Sequence, residues 1–292
     1  MTQILLALLD STMRMSMPLL FAALGGLLSE RSGVVNIALE GLMLIGAFCG
    51  VVVTLGSHSP TLGLFGAAAG GAALAGLYGV TVIRWRADQI VAGTAINFLA
   101  FGVPPVLCKL WFNSTTSTPS LPIEERFTLA PLVMGWIALS IVAAWLRWTR
   151  SGLWLQFAGE SPESLHAAGV SVKRVRWGAL LAAGVLAGLG GATLSMCLSS
   201  SYTKDMTAGR GFMALAALIL GKWRPVPTAL ACVLFGFFDA LQMQLQGASF
   251  LAEFHVPVQF IQILPYWVTV LVLAGFVGQA RAPRRLGVPF AT

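Results

Sequence analysis

The chain consists of long apolar runs separated by short polar breaks. A transmembrane helix needs about 20 mostly apolar residues to cross roughly 30 Å of hydrocarbon. By that measure the pattern predicts nine spans, at about 13–28, 35–54, 61–83, 89–112, 130–147, 178–198, 209–221, 226–247 and 259–278. The seventh span is short, because its roughly 13 residues rise only about 20 Å. This length favours half of a broken helix or a steeply packed internal one.

Composition shows that the pattern belongs to a membrane protein. Only 10% of the 292 residues are charged, against about 25% in soluble domains, and 57% are hydrophobic, with a mean hydropathy of +0.82. The apolar runs do not alternate with polar residues, as the strands of a membrane β-barrel would. The expected fold is therefore all-α, a polytopic transmembrane bundle of about 8–10 helices. At least one helix is expected to be broken or re-entrant, and residues 1–292 form a single domain.

The basic residues lie mostly on one predicted side. With the N-terminus outside and the C-terminus inside, 13 of the 18 Lys and Arg fall in inside loops. The outside keeps only Arg14, Lys109, Arg126, Lys204 and Arg210. This asymmetry predicts a multi-pass protein of a bacterial inner membrane with a cytoplasmic C-terminus, although one re-entrant segment among the first three spans would reverse the side of the N-terminus. It also accounts for the net charge of +7 without a nucleic-acid partner.

Residue types that carry enzymatic or metal chemistry do not cluster. The four cysteines stand singly in apolar runs, and the three histidines lie far apart in predicted loops. HExxH, GxSxG and Walker A motifs are missing. We expect no catalytic residue, no metal and no cofactor, and a transport role is favoured over a membrane enzyme.

The longest predicted inside loop, about 149–177, contains the signals of a short helix over 162–168. Ser161 can cap its N-terminus, Pro162 suits the first position, Glu163 lies in the first turn, and Gly169 suits the position after the end. Two helical turns are not stable alone. The residues leave two alternatives open, a helix held by a partner protein and an interfacial loop helix.

Polar residues inside the predicted spans are candidates for a solute pathway. Glu40 must face protein or water, because an acidic side chain at mid-membrane costs roughly 2.5–3.5 kcal/mol. Asn36 lies four residues earlier, which predicts the same helix face. Two interpretations stay open. Either Asn36 and Glu40 both line a polar pathway, or Glu40 bonds two helices together or lies at the membrane boundary. Four further side chains in spans either line the pathway or bond neighbouring helices; they are Thr94, Asn97, Asp239 and Gln242.

Glycine spacing and one loop complete the predicted organisation. Gly66/Gly70 and Gly184/Gly188 have the four-residue spacing that lets helices approach closely in lipid, and packing within one subunit is favoured over a subunit interface. Residues 113–129 form a polar, proline-interrupted external loop.

Five stretches in order resemble the permease subunits of bacterial ABC importers for simple sugars, nucleosides and branched-chain amino acids. They are ERSGVVNIALEGLMLIGAF, DQIVAGTAINFLAFG, GLWLQFAGESPESLHAAGV, GRGFMALAALILGKWRP and FGFFDALQMQLQ. The first stretch is most similar to the nucleoside, or simple-sugar-like, branch. One departure is Gln156-Phe157-Ala158, where relatives commonly have a basic residue before the alanine.

The resemblance implies a function and a set of partners. The chain would be the permease of an importer for nucleosides, driven by ATP hydrolysis on a separate cytoplasmic ATP-binding subunit. It would pair with a second, often non-identical permease subunit in the lipid membrane and receive solute from an external substrate-binding lipoprotein. ATPase coupling is assigned to Gly159, Glu160, Ser161, Pro162, Glu163, Leu165, Ala168 and Gly169.

Alternatives to nucleoside import remain. They are a ribose or simple-sugar permease, a branched-chain amino acid permease, and a proton-coupled secondary transporter with Glu40 or Asp239 as the proton carrier. The predicted solute pathway is Asn36, Glu40, Thr94, Asn97, Asp239 and Gln242.

Overall fold

The computed structural model describes residues 2–127, 130–246 and 281–290, together with Trp267 and Val270. Within these ranges the chain folds into ten α-helices. They are α1 (Thr2–Arg31), α2 (Leu39–Ser57), α3 (Pro60–Gly79), α4 (Gln89–Phe112), α5 (Ala130–Trp148), α6 (Arg150–Glu160), α7 (Pro162–Ala167), α8 (Val172–Thr193), α9 (Arg210–Leu220) and α10 (Pro225–Gln246). Helix α3 continues as a π-helical turn over Val80–Arg84, and α8 continues as another over Leu194–Leu198.

Six of these helices are long and apolar enough to cross a membrane. They are the helices of Leu5–Arg31, Leu39–Ser57, Pro60–Arg84, Gln89–Phe112, Val172–Leu198 and Pro225–Gln246. Two shorter apolar helices, Val133–Trp148 and Arg210–Leu220, lie beside them. The all-α polytopic bundle is therefore confirmed, whereas the predicted ninth span, 259–278, lies outside the described residues apart from Trp267 and Val270.

Several predicted boundaries were wrong. Helix α1 begins at Thr2 rather than near residue 13, and α2 begins at Leu39 rather than near residue 35. The predicted inside loop contains an additional helix, α6, capped by the Thr149 hydroxyl, which accepts from the Gly152 N–H. Its polar composition hid it from a search for apolar runs.

Glycines allow the central helices α2, α3 and α8 to pack at backbone distance. A Cβ atom at Gly71 would overlap the carbonyl oxygen of Gly184, and one at Gly46 would overlap the backbone of Gly188. A side chain at Gly191 would overlap the Met43 carbonyl oxygen. The Gly184/Gly188 pair thus serves packing within this chain, as the sequence analysis favoured.

A buried, non-helical segment, residues 32–38, connects α1 to α2. Its backbone groups are satisfied by side chains from distant helices, as lipid-depth backbone requires. The Val35 N–H donates to Gln89 Oε1 at 2.7 Å, and the Tyr78 hydroxyl donates to the Val35 carbonyl at 2.6 Å. Asn97 Nδ2 donates to the Ile37 carbonyl at 3.0 Å. Side chains of α3 and α4 therefore hold the entry to α2.

Helix α9 is too short to cross a membrane. Its 11 residues rise about 16 Å, roughly half of the hydrocarbon thickness. The chain reaches it through an irregular segment, residues 199–209, that pairs with residues 113–127 through a Ser117–Thr203 bridge. The predicted short seventh span is confirmed, and its N-terminus lies inside the protein.

Candidate functional site

The N-terminus of α9 is bound by the carboxylate of Glu40. Gly209 N–H donates to Glu40 Oε1 at 2.8 Å, and Gly211 N–H donates to Glu40 Oε2 at 2.6 Å. Glu40 also lies in the first turn of α2. Its negative charge therefore faces the N-terminal, partly positive ends of two helices, which favours an anion there.

Glycine is required at both donors. Gly209 has a φ of +83°, a left-handed conformation that most side chains disfavour. A Cβ atom at Gly211 would lie 2.5 Å from the Glu40 Cα atom. The Gly-Arg-Gly sequence is thus explained by the close approach of α9 to α2.

Beside Glu40 lies a cavity of about 600 Å³, within the roughly 300–1,000 Å³ typical of small-molecule sites. It is lined by Glu40, Phe98, Phe101, Gly102, Lys204, Asp205, Ala208, Gly209 and Phe212. Three aromatic rings and three charged side chains thus converge on one space. Phe98 is 74% exposed and Phe212 46% exposed, so the cavity opens on the outer face of α4.

Two further predicted residues lie at or near the same end of α9. Arg210 Nη2 lies 3.8 Å from Asp239 Oδ2, and both side chains are largely buried. Gln242 follows three residues later on α10 and is half-buried. The structure therefore brings Glu40 and Asp239 to one level of the bundle, although they are 199 residues apart in sequence.

The remaining predicted residues are placed differently. Asn36 precedes α2, so the expected common helix face with Glu40 was wrong. Its fully buried side-chain amide has no hydrogen-bond partner among the described residues. Asn97 Oδ1 accepts from the Gly41 N–H at 2.8 Å and so supports the turn that carries Glu40. Thr94 is exposed and donates to Val91 of its own helix.

The C-terminal end of α9 is bound by a second buried glutamate. Trp223 Nε1–H donates to Glu30 Oε2 at 2.6 Å, and Arg31 Nη1 donates to the Trp223 carbonyl at 2.9 Å. Arg31 Nη2 also donates to Gln156 Oε1 of α6 at 2.7 Å. Glu30 and Arg31 therefore connect α9 to the helix that leads into α7.

The predicted short helix is present as α7, and the eight residues predicted for ATPase coupling, in and beside it, differ in exposure. Gly159, Pro162 and Leu165 are buried against the bundle. Glu160, Glu163, Ala168 and Gly169 are exposed, and Ser161 is intermediate. Glu160, Glu163, Ala168 and Gly169 are therefore the members of this set that lie on the surface.

One detail of the predicted capping differs. Pro162 occupies the first turn and Gly169 has a φ of +79°, as expected. Ser161 precedes the helix, but its hydroxyl accepts no backbone N–H and instead lies 2.7 Å from the Ser164 hydroxyl.

Sequence reasoning missed the aromatic and cationic members of the cavity. Phe98, Phe101 and Phe212 stand in apolar runs, where an aromatic residue carries no signal of its own. Lys204 and Asp205 were visible as a charge pair just before the Gly-Arg-Gly sequence, and that spacing was the available clue.

Comparison with known proteins identifies the family. A model of the branched-chain amino acid transport system permease component matches residues 8–275. The chain belongs to this permease family. A nucleoside ABC transporter permease protein, NupC of Lactococcus lactis, is 36% identical over 94% of this chain and 93% of its own length.

Two other relatives cover nearly the whole chain. The guanosine ABC transporter permease protein NupQ of Bacillus subtilis is 36% identical over 99% of this chain and 97% of its own length. A putative glucose ABC transporter permease protein, TsgC13 of Haloferax volcanii, is 33% identical over 97% and 95%. No solved structure matches the chain.

Proposed function

We propose that this permease is the membrane-spanning subunit of an ABC importer that moves nucleosides into the cytoplasm, driven by ATP hydrolysis on a separate subunit. The observation that carries the proposal is the placement of α9. Glu40 binds its N-terminus beside the cavity, and Glu30 and Arg31 bind its C-terminal turn to α6. One short helix thus connects a solute-sized cavity to the loop helix α7.

The chemistry of the cavity supports a nucleoside. A nucleobase stacks on aromatic rings, and such stacking contributes about 1–3 kcal/mol per base. Phe98, Phe101 and Phe212 supply rings, while Lys204 and Asp205 supply polar partners for hydroxyl and amide groups. Relatives named for nucleoside and guanosine transport support the same solute class over glucose or branched-chain amino acids.

The open side of the cavity supports pairing with a second permease subunit. Charged side chains facing hydrocarbon are costly, so Lys204 and Asp205 require protein or water beside them. The neighbouring face of α4 carries large exposed apolar residues, including Phe98, Val106 and Leu110. A second permease packed on this face closes the cavity between the two chains.

The remaining partners follow from the two ends of the molecule. The cytoplasmic ATP-binding subunit contacts the exposed face of α7, and residues 281–290, which pack beside α7, lie on the same cytoplasmic side. The external substrate-binding lipoprotein delivers solute on the opposite side, where residues 113–127 pair with the segment carrying Lys204.

Uptake of labelled guanosine into proteoliposomes containing the whole importer tests the solute. Phe212→Ala is expected to raise the KM about 5- to 150-fold, from the loss of about 1–3 kcal/mol of stacking. Phe65→Ala is the matched control, because Phe65 is 73% exposed on α3 and does not line the cavity. Ribose or leucine uptake in place of guanosine uptake would contradict the nucleoside assignment.

Coupling to ATP is tested in the same vesicles. A Glu160→Ala/Glu163→Ala variant should insert normally and lose uptake. A protonophore should leave uptake unchanged at constant ATP. Loss of uptake in the presence of the protonophore would favour a proton-coupled transporter.

A further inference from the structure

The C-terminal segment, residues 281–290, packs against the loop that carries α7. Arg285 N–H donates to the Gly159 carbonyl at 2.8 Å, and Gly287 N–H donates to the Gly33 carbonyl at 3.1 Å. Arg285 Nη2 also lies 2.6 Å from Glu163 Oε1. The segment is therefore attached at once to α6, to α7 and to the turn after α1.

The buried side chain of Arg176 in α8 binds residues 281–290 to the segments they pack against. Its side chain is 4% exposed, and its guanidinium donates to three backbone carbonyls from three separate parts of the chain. They are those of Ser32 at 3.1 Å, Val288 at 3.0 Å and Ala158 at 3.4 Å. Because a planar guanidinium presents donors in fixed directions, it sets the three backbones relative to one another.

Residues 281–290 also make apolar contacts with the end of α7. The His166 and Phe290 rings lie 6.0 Å apart in an edge arrangement. Phe290 also packs on a small apolar cluster that contains Leu165 and Val172. The C-terminal segment thus packs beside α7, while several of its own side chains stay exposed to solvent.

We propose that residues 284–290 and α7 form one docking surface for the cytoplasmic ATP-binding subunit. This inference rests on the proposed function, which assigns only α7 to that contact. Arg284, Val288 and Pro289 are exposed beside exposed Glu163 and His166, so a protein seated on α7 meets the segment as well.

The charges favour a protein over a lipid surface. Arg284 and Arg285 are exposed and basic, but two exposed glutamates lie beside them: the Arg284 N–H donates to Glu160 Oε2 at 3.4 Å, and Arg285 pairs with Glu163. Anionic headgroups attract the arginines and repel the glutamates. A protein partner with carboxylates opposite the arginines and basic groups opposite the glutamates satisfies both signs.

Site-specific photo-crosslinking in native membranes tests the surface. A benzoylphenylalanine at position 284 or 288, and one at position 167 on α7, should each crosslink the full-length chain to its ATP-binding subunit. Position 84, exposed on the same predicted side at the end of α3, should not.

The outcomes separate the two proposals. Crosslinking from 167 but not from 284 or 288 overturns the shared surface and leaves the proposed function standing. Adducts to lipid alone from 284 and 288 also overturn it. An absence of ATPase adducts at 167, 284 and 288 contradicts the proposed function itself.

A charge reversal gives a second readout. Arg284→Glu should weaken binding of the ATP-binding subunit about two- to fivefold, the range expected for an exposed ion pair. Arg84→Glu is the matched control and should leave binding unchanged. Equal affinities for the two variants would overturn the proposal.

Discussion

Glu40 and Glu30 both lie buried against α9, Glu40 at the N-terminal end of the helix and Glu30 at its C-terminal turn. Glu40 accepts two backbone N–H groups and faces the partly positive ends of α2 and α9. Glu30 lies near the C-terminal, partly negative end of α1 and accepts from the indole of Trp223. Helix α9 thus binds one glutamate through its backbone N–H groups and the other through the side chain of Trp223, which follows its C-terminus.

This difference makes the N-terminal end of α9, at Glu40, a fixed end, and the Trp223 end one that is suited to movement. Backbone donors at the α9 N-terminus cannot turn away from Glu40 without displacing the helix. The Trp223 side chain can rotate, and its turn is shared with Arg31, which also contacts α6. We expect motion of the α6–α7 loop to reach α9 at the Trp223 end while the Glu40 end acts as its pivot.

The largest effect is expected at the fixed end. Glu40→Leu leaves the buried Gly211 N–H and the partly buried Gly209 N–H without an acceptor, at about 1–3 kcal/mol each. We expect the free energy of unfolding in detergent to fall by about 2–6 kcal/mol, and Glu40→Gln to fall about half as far because one acceptor oxygen remains. A Glu40→Leu protein as stable as the wild type would remove the distinction between the two ends.

The second-largest loss of stability is expected at Asn97, which supports the Glu40 end. Asn97→Leu breaks the bonds to Gly41 N–H and the Ile37 carbonyl, which predicts a loss of about 2–4 kcal/mol in the free energy of unfolding. Thr94→Val on the same helix is the matched control, with a change within about 0.5 kcal/mol, because Thr94 is exposed. Denaturant unfolding of the two purified variants makes the comparison, and equal losses would refute the assigned roles.

Substitutions at the Trp223 end should lower the free energy of unfolding by less. Trp223→Phe removes the indole donor of Glu30 and should lower the free energy of unfolding by about 1–3 kcal/mol. Adding Glu30→Leu should recover part of that loss, because the buried carboxylate is then gone as well. A double-mutant cycle measures the coupling energy, and strictly additive losses would show that the pair does not interact.

The smallest effect is expected at the exposed Glu163–Arg285 pair. Arg285→Glu should lower the free energy of unfolding by less than about 1 kcal/mol, and less at high salt. The charge swap Glu163→Arg/Arg285→Glu should restore the wild-type value. A loss as large as that of Trp223→Phe would place the main attachment of α7 in this pair rather than in the backbone contacts of Gly159.

Helices whose ends coincide with sharp local signals were predicted closely. Helix α4 spans Gln89–Phe112 as predicted, since Asp88 caps its first N–H groups, and α7 follows from Pro162 and Gly169. The start of α2 was misplaced because the segment before it is also apolar. Hydropathy records burial and does not record whether buried backbone is helical.

The sequence by itself determined that the chain is a helical membrane protein, which runs form its main spans, and that Glu40 cannot face lipid, because transfer energies depend on composition over short windows. Only the tertiary structure decided which groups bind the buried polar side chains. Glu40 meets Gly209 and Gly211, Glu30 meets Trp223, and Arg176 meets Val288, each across more than 100 residues. Such pairings depend on how whole helices cross, and helix crossing is set by packing of glycine-lined backbones rather than by any local pattern.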